Sequence, residues 1–95
     1  MKPEELREYA ALHICAFRVE QQEGHPCYVT DNDLIECDDW HPDTNRDQLH
    51  LIAMKIDTAL IDAIDSGEYE FWNLCMTDPL LALQAICEAH KETNP

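Results

Sequence analysis

Positive charge is what this sequence has least of. Six Lys and Arg stand against twenty Asp and Glu, a formal net charge of −14 over 95 residues. A protein that holds nucleic-acid phosphates needs a basic excess, so direct contact with DNA or RNA is excluded as an expectation, and an anionic membrane surface repels the chain as well. Long apolar runs are missing too. None approaches the roughly 18–20 residues that cross a bilayer, and Met1-Lys2-Pro3-Glu4-Glu5 lacks the basic-then-apolar pattern of a signal peptide. Glycine occurs only twice, and no CxxC pair is present among the five cysteines. With an odd count at irregular positions (Cys15, Cys27, Cys37, Cys75, Cys87), the expectation is mostly reduced thiols in a reducing cytoplasm. No Gly-rich phosphate loop, HExxH or Ser-His-Asp order appears.

What is present separates the chain from a disordered acidic tail. Hydrophobic residues make up 45%, with two Trp, three Tyr and two Phe. That is enough to bury a small core, and the length sets one domain over residues 1–95.

Local signals divide the chain. Pro3 followed by Glu4 and Glu5 favours a helix start. Leu6, Tyr9, Ala10, His13 and Phe17 form one stripe, widened by Leu12, Cys15 and Val19, which predicts a helix over residues 4–21. Gly24-His25-Pro26 ends it. Cys27–Thr30 and Leu34–Cys37 read as two strands joined by the Asp31-Asn32-Asp33 turn. Asp43 or Thr44 then caps a second helix, whose apolar face is Leu49, Ile52, Ala53 and Ile56. Residues 57–65 suit a helix or a strand equally. The alternating, aromatic run Glu68–Leu74 predicts a strand. Asp78-Pro79 opens a last helix to about Lys91, with Leu80, Leu83, Ile86 or Cys87, and His90 on one side. The sum is an α+β domain, a small layered arrangement of three helices and a short antiparallel sheet.

Three segments in order carry a resemblance. They are Trp40-His41-Pro42-Asp43-Thr44-Asn45 leading into a helix, the aromatic run near Trp72, and the helix Asp78-Pro79-Leu80-Leu81-Ala82-Leu83-Gln84-Ala85-Ile86-Cys87-Glu88-Ala89. Together they resemble the phage ABA sandwich domain, a family of small phage and prophage proteins. Asp43 stands where Ser is usual in that family's turn, and Asn45 where Asp is usual. The resemblance implies an α-β-α sandwich encoded by a phage or prophage. It implies Trp40 in the core, Pro42 fixing the turn, Thr44 capping, and Ile86 and Cys87 facing the sheet. No catalytic residue carries over from it.

The charges point to a partner. Asp31, Asp33, Glu36, Asp38, Asp39, Asp43 and Asp47 fall within residues 31–47 and are opposed there only by Arg46, while residues 56–90 hold no Lys or Arg. Like charges held on folded segments repel one another and cost stability, so they are retained for solubility or for a cationic partner. DNA presents one negative charge per about 1.7 Å of axis. Carboxylates along a hairpin edge and a helix face approach that density and would fill a cationic groove built for phosphates. The expectation from the charges is a binding protein, not an enzyme, without a cofactor; joined to the phage resemblance, it becomes an acidic inhibitor, in the cytoplasm of the bacterial host, of a host nucleic-acid-directed defence complex, comparable to anti-CRISPR and anti-restriction proteins. Those seven acids are its candidate contacts to a host protein or complex with a basic surface.

Rival chemistries rest on fewer residues. His25, Cys27, Cys37 and His41 give an H-x-C…C-x3-H pattern that a hairpin would gather around zinc. Asp38, Asp39 and Asp43 are of the type that holds Mg²⁺ in nucleases, but too few bases accompany them to bind the substrate. An oligomeric interaction module is the other alternative: Tyr69, Phe71 and Trp72 crowd a small core and would supply a homodimer interface, although Trp72 itself is expected inside.

Overall fold

A computed structural model describes residues 2–30, 33–65 and 70–93. Helix α1 (Pro3–Tyr9) runs directly into a π-helical segment, Ala10–Ile14. Strands β1 (Arg18–Gln22), β2 (His25–Val29) and β3 (Leu34–Glu36) follow, then a 3-10 turn, Cys37–Asp39. Helices α2 (Arg46–Ala53), α3 (Thr58–Asp65), α4 (Phe71–Thr77) and α5 (Pro79–Thr93) complete the described chain. The class is α+β, with a three-stranded antiparallel sheet in the order β1-β2-β3.

The expected helix over residues 4–21 is much shorter. The widening of the coil buries Ala10 and Ala11 side by side, with Cys15 N–H reaching back five residues to the Ala10 carbonyl at 2.9 Å. Ala16 then takes a left-handed conformation (φ 56°), which ends the helix, and the Phe17 N–H closes on the Ala11 carbonyl. Residues 18–22 instead become β1. Glu23 and Gly24, both at positive φ (52° and 83°), make the two-residue turn into β2. Two successive positive φ values give the turn whose twist matches a hairpin. Pro26 fits the central strand because β3 stops short of it. Its pairing partner is Gln21 on β1, and β3 pairs with β2 only at residues 27–29.

The predicted hairpin between residues 27–30 and 34–37 is present as β2 and β3, in the register Cys27 opposite Glu36 and Tyr28 opposite Ile35. Asp31 and Asn32 lie outside the described residues. Residues 58–65 form a helix, with Asp57 Oδ1 accepting from Leu60 N–H at 2.9 Å. The expected strand at 68–74 is a helix from Phe71 onward. Phe71 and Leu74, three residues apart, are buried, and Asp65 Oδ1 accepts the Phe71 N–H; Glu68 and Tyr69 lie outside the described residues. There are thus five α-helices among the described residues, not three.

The core gathers Leu6, Ala10, Ala11, Trp40, Leu49, Ile52, Phe71, Leu83, Ile86 and Cys87. Trp40 joins the two parts of the fold. Its ring meets Phe17 at 5.5 Å and Tyr28 at 6.1 Å between centroids, both edge-on, and its Nε1–H donates to the Arg7 carbonyl at 2.8 Å. Helix α5 packs on α1, α3 and α4. Its start is the expected one: Asp78 Oδ1 accepts from Leu81 N–H at 3.2 Å, ahead of Pro79. Cys87 Sγ donates to the Leu6 carbonyl at 3.7 Å, so this side chain meets α1.

Candidate acidic surface and an adjacent groove

The segment from β3 to α2 is fixed by polar contacts to its backbone, which leaves several of its carboxylates outward. Asn45 caps α2, its Oδ1 accepting from Gln48 N–H at 3.1 Å; neither Asp43 nor Thr44 does so. Gln48, one turn into the helix, reaches back. Its Oε1 accepts from His41 N–H at 2.6 Å, and its Nε2 donates to the Asp39 carbonyl at 2.9 Å. His41 Nε2 donates to the Asp38 carbonyl at 2.6 Å. The 3-10 turn is thereby tied to α2 through its main chain. Its two carboxylates, Asp38 and Asp39, remain exposed, as do Asp33, Glu36 and Asp47. None of these five takes part in an ion pair among the described residues.

Asp43 departs from the expected role. Its side chain is only 11% exposed, and Oδ2 accepts from Arg7 Nη1 at 3.2 Å. Its Oδ1 is buried without a hydrogen-bond partner, 4.0 Å from His41 Nδ1. Asp43 is a structural link and not a surface contact. Asp31 lies outside the described residues.

The zinc pattern does not assemble. Among the described residues no three His, Cys, Asp or Glu side chains converge on one point. The register shows why: Cys27 lies opposite Glu36, one residue away from Cys37, and His25 sits at the turn end of β2, beyond the reach of β3. His41 spends Nε2 on a backbone carbonyl. Burial, then Glu36 and Cys37 beside it, pushes the Cys27 thiol up from its ordinary value, and two cysteines outside the pattern are shifted the same way. Burial pushes Cys75 up to about 11, and burial with Glu88 and Cys15 nearby pushes Cys87 up to about 12. A protonated thiol is a poor nucleophile and a poor metal ligand.

Trp72 is not in the core. It is 45% exposed on α4, with Met76 one turn further on at 64%. Beside them lies a groove of about 310 Å³ between α4 and α2, lined by Trp72, Cys75, Met76, His50 and Ala53, with Arg46 and Asp47 at its rim. The His50 and Trp72 rings are 6.0 Å apart. Reading residues 68–74 as a strand concealed this groove. Helical spacing reveals it, since Phe71 and Leu74 share the inner face and Trp72, Cys75 and Met76 the outer one.

The chain matches no family model, no curated protein and no solved structure, so the likeness to the phage ABA sandwich domain stands on the quoted motifs alone. No helix among the described residues is long and apolar enough to cross a membrane.

Proposed function

We propose that this chain is an acidic binding protein, not an enzyme, that occupies a cationic surface of a nucleic-acid-directed host complex, as a phage- or prophage-encoded inhibitor of host defence would. One observation carries the reading. Asp33, Glu36, Asp38, Asp39 and Asp47 are exposed and without ion-pair partners among the described residues, on a segment whose backbone is pinned by Gln48 and His41. Carboxylates on a fixed backbone act as a pre-set array of charge, and such an array competes with phosphates for Lys and Arg at little ordering cost. The α-β-α sandwich implied by the phage family belongs to this proposal. Its support is Trp40, which meets Tyr28 of β2, Phe17 just before β1 and the Arg7 carbonyl of α1. The bacterial cytoplasm as its place of action follows from the same proposal.

The test is to titrate the protein into purified RNA-guided effector complexes and restriction nucleases, reading target-DNA binding at low and high salt. Loss of DNA binding at low salt, relieved by salt and by the pair Asp38→Lys and Asp39→Lys, is expected. An inhibition indifferent to both salt and charge reversal removes the charge-mimic mechanism.

A further inference from the structure

The groove between α2 and α4 combines features that the acidic surface lacks. Trp72 and Met76, 45% and 64% exposed, form its wall on α4 and face His50 and Ala53 of α2. A Trp beside a methionine is an adaptable apolar surface: Trp supplies area for an anchor, and the unbranched thioether repacks around varied side chains. The groove's volume, about 310 Å³, lies at the lower end of the range for pockets that take small molecules.

Charge selects the occupant. Beyond Arg46 and Asp47 at the rim, the sequence from residue 56 to 90, which includes all of α4, contains no Lys or Arg, while it contains Asp57, Asp62, Asp65, Glu70, Asp78 and Glu88. A second copy of the chain brings another −14 to the same place, and no described helix of this chain joins a basic face to an apolar one. Self-association through this face is therefore opposed by the field of the protein itself. A cationic helix is drawn in by that field.

From these observations we infer that the α2–α4 groove seats an amphipathic helix of a cationic partner, with its apolar face on Trp72 and Met76 and its Lys and Arg flanks toward Asp47 in the groove lining and Glu70 and Asp78 at the two ends of α4. The inference rests on the reading of the chain as a binder of cationic protein surfaces, and it adds a second, apolar contact to the acidic one. Helix-in-groove recognition of this kind uses apolar anchors at one-turn spacing, which matches the one-turn spacing of Trp72 and Met76.

The test uses a fluorescently labelled Leu-Lys amphipathic helical peptide as probe, with two controls: a scrambled peptide of identical composition and a Leu-Glu version. Anisotropy is read for the wild-type protein, for the groove variants Trp72→Ala and Met76→Glu, and for the surface variant Asp38→Lys with Asp39→Lys. Circular dichroism confirms that each variant is folded, and Trp72→Phe serves as the conservative substitution. The expected result is binding of the Leu-Lys helix alone, weakened at least tenfold by Trp72→Ala or Met76→Glu and restored in large part by Trp72→Phe. Equal binding of the scrambled peptide, or groove variants that bind as wild type while the surface variant does not, overturns the groove while leaving the acidic-surface reading intact. Tighter binding of the Leu-Glu peptide overturns both. A dimer in sedimentation that Met76→Glu dissociates assigns the groove to a second copy and also overturns the proposal.

Discussion

Arg7 on α1 and Asp43 before α2 meet at 3.2 Å, across 36 residues of sequence, and Asp43 presents its other oxygen to the interior without a hydrogen-bond partner. The side chains are 22% and 11% exposed, so the pair is shielded enough for its loss to matter. Removing only the cation strands a buried carboxylate, whereas removing both charges does not. Arg7→Met is expected to cost about 2 kcal/mol in urea unfolding, below the roughly 3–5 kcal/mol of a fully buried pair. The double variant with Asp43→Asn should recover part of that loss. A double variant that is worse than Arg7→Met alone contradicts this account of Asp43.

Trp40 holds the same junction from the apolar side. Its Nε1–H bond to the Arg7 carbonyl and its edge contacts to Phe17 and Tyr28 bring α1 and the sheet to one side chain. Trp40→Phe keeps much of the packing but removes the indole donor, leaving that carbonyl to the Ala10 N–H, and underfills the site. A loss of about 0.5–1.5 kcal/mol is expected for the hydrogen bond, and Trp40→Ala should cost about 3–5 kcal/mol. Chemical denaturation of the two variants checks the order.

Among the described residues, two other than glycine adopt left-handed backbone, Ala16 and Glu23. An L side chain there costs roughly 1–2 kcal/mol, while a glycine loosens the unfolded chain by roughly 0.4–1 kcal/mol. Ala16→Gly is therefore expected to raise stability by about 0.5 kcal/mol. Glu23→Asn should do as well or better, because Asn tolerates this conformation without glycine's entropy, and the Asn-Gly pair is the strongest signal for such a turn. A lower unfolding midpoint in either variant contradicts the assignment.

Sequence was legible where local chemistry and tertiary packing agreed. The β2–β3 hairpin and the Asp78-Pro79 helix start follow from turn residues and a cap, and the burial of Trp40 is what the family resemblance implied. It was misread where one pattern served two structures. Phe17 and Val19 extend the helical stripe of α1, yet Ala16 turns the chain and Phe17 becomes a contact of Trp40 beside the sheet. Phe71 and Trp72 favour strands by propensity, but spacing three apart buries Phe71 with Leu74, and tertiary packing prevails. The caps were displaced by competition, since Asp43 is drawn to Arg7 and Asn45 is left to close α2. Of the candidate contacts, exposure separates Asp33, Glu36, Asp38, Asp39 and Asp47 from Asp43, a distinction that charge counting along a chain does not make.

Alkali should find the weak point of the core. Burial, then the nearby Cys37 thiol, pushes the Tyr28 hydroxyl up to about 12, and burial above all pushes Cys87 to the same level from an ordinary value near 9. Both groups are neutral when protonated, and the fold favours that form. Their contribution is fully present below the unfolded-state values, near 9 for the thiol and 10 for the phenol, and is lost as pH rises toward 12. The unfolding midpoint should therefore fall from pH 9 upward. Cys87→Ala removes a titrating group at the α1–α5 contact, so it should lower stability at neutral pH yet flatten the alkaline slope. Tyr28→Phe should flatten the slope at its upper end, where the phenol ionises. Melting curves between pH 7 and 11 separate the two effects. A slope unchanged in both variants places the alkaline loss elsewhere, in the mutual repulsion of a chain that already carries −14.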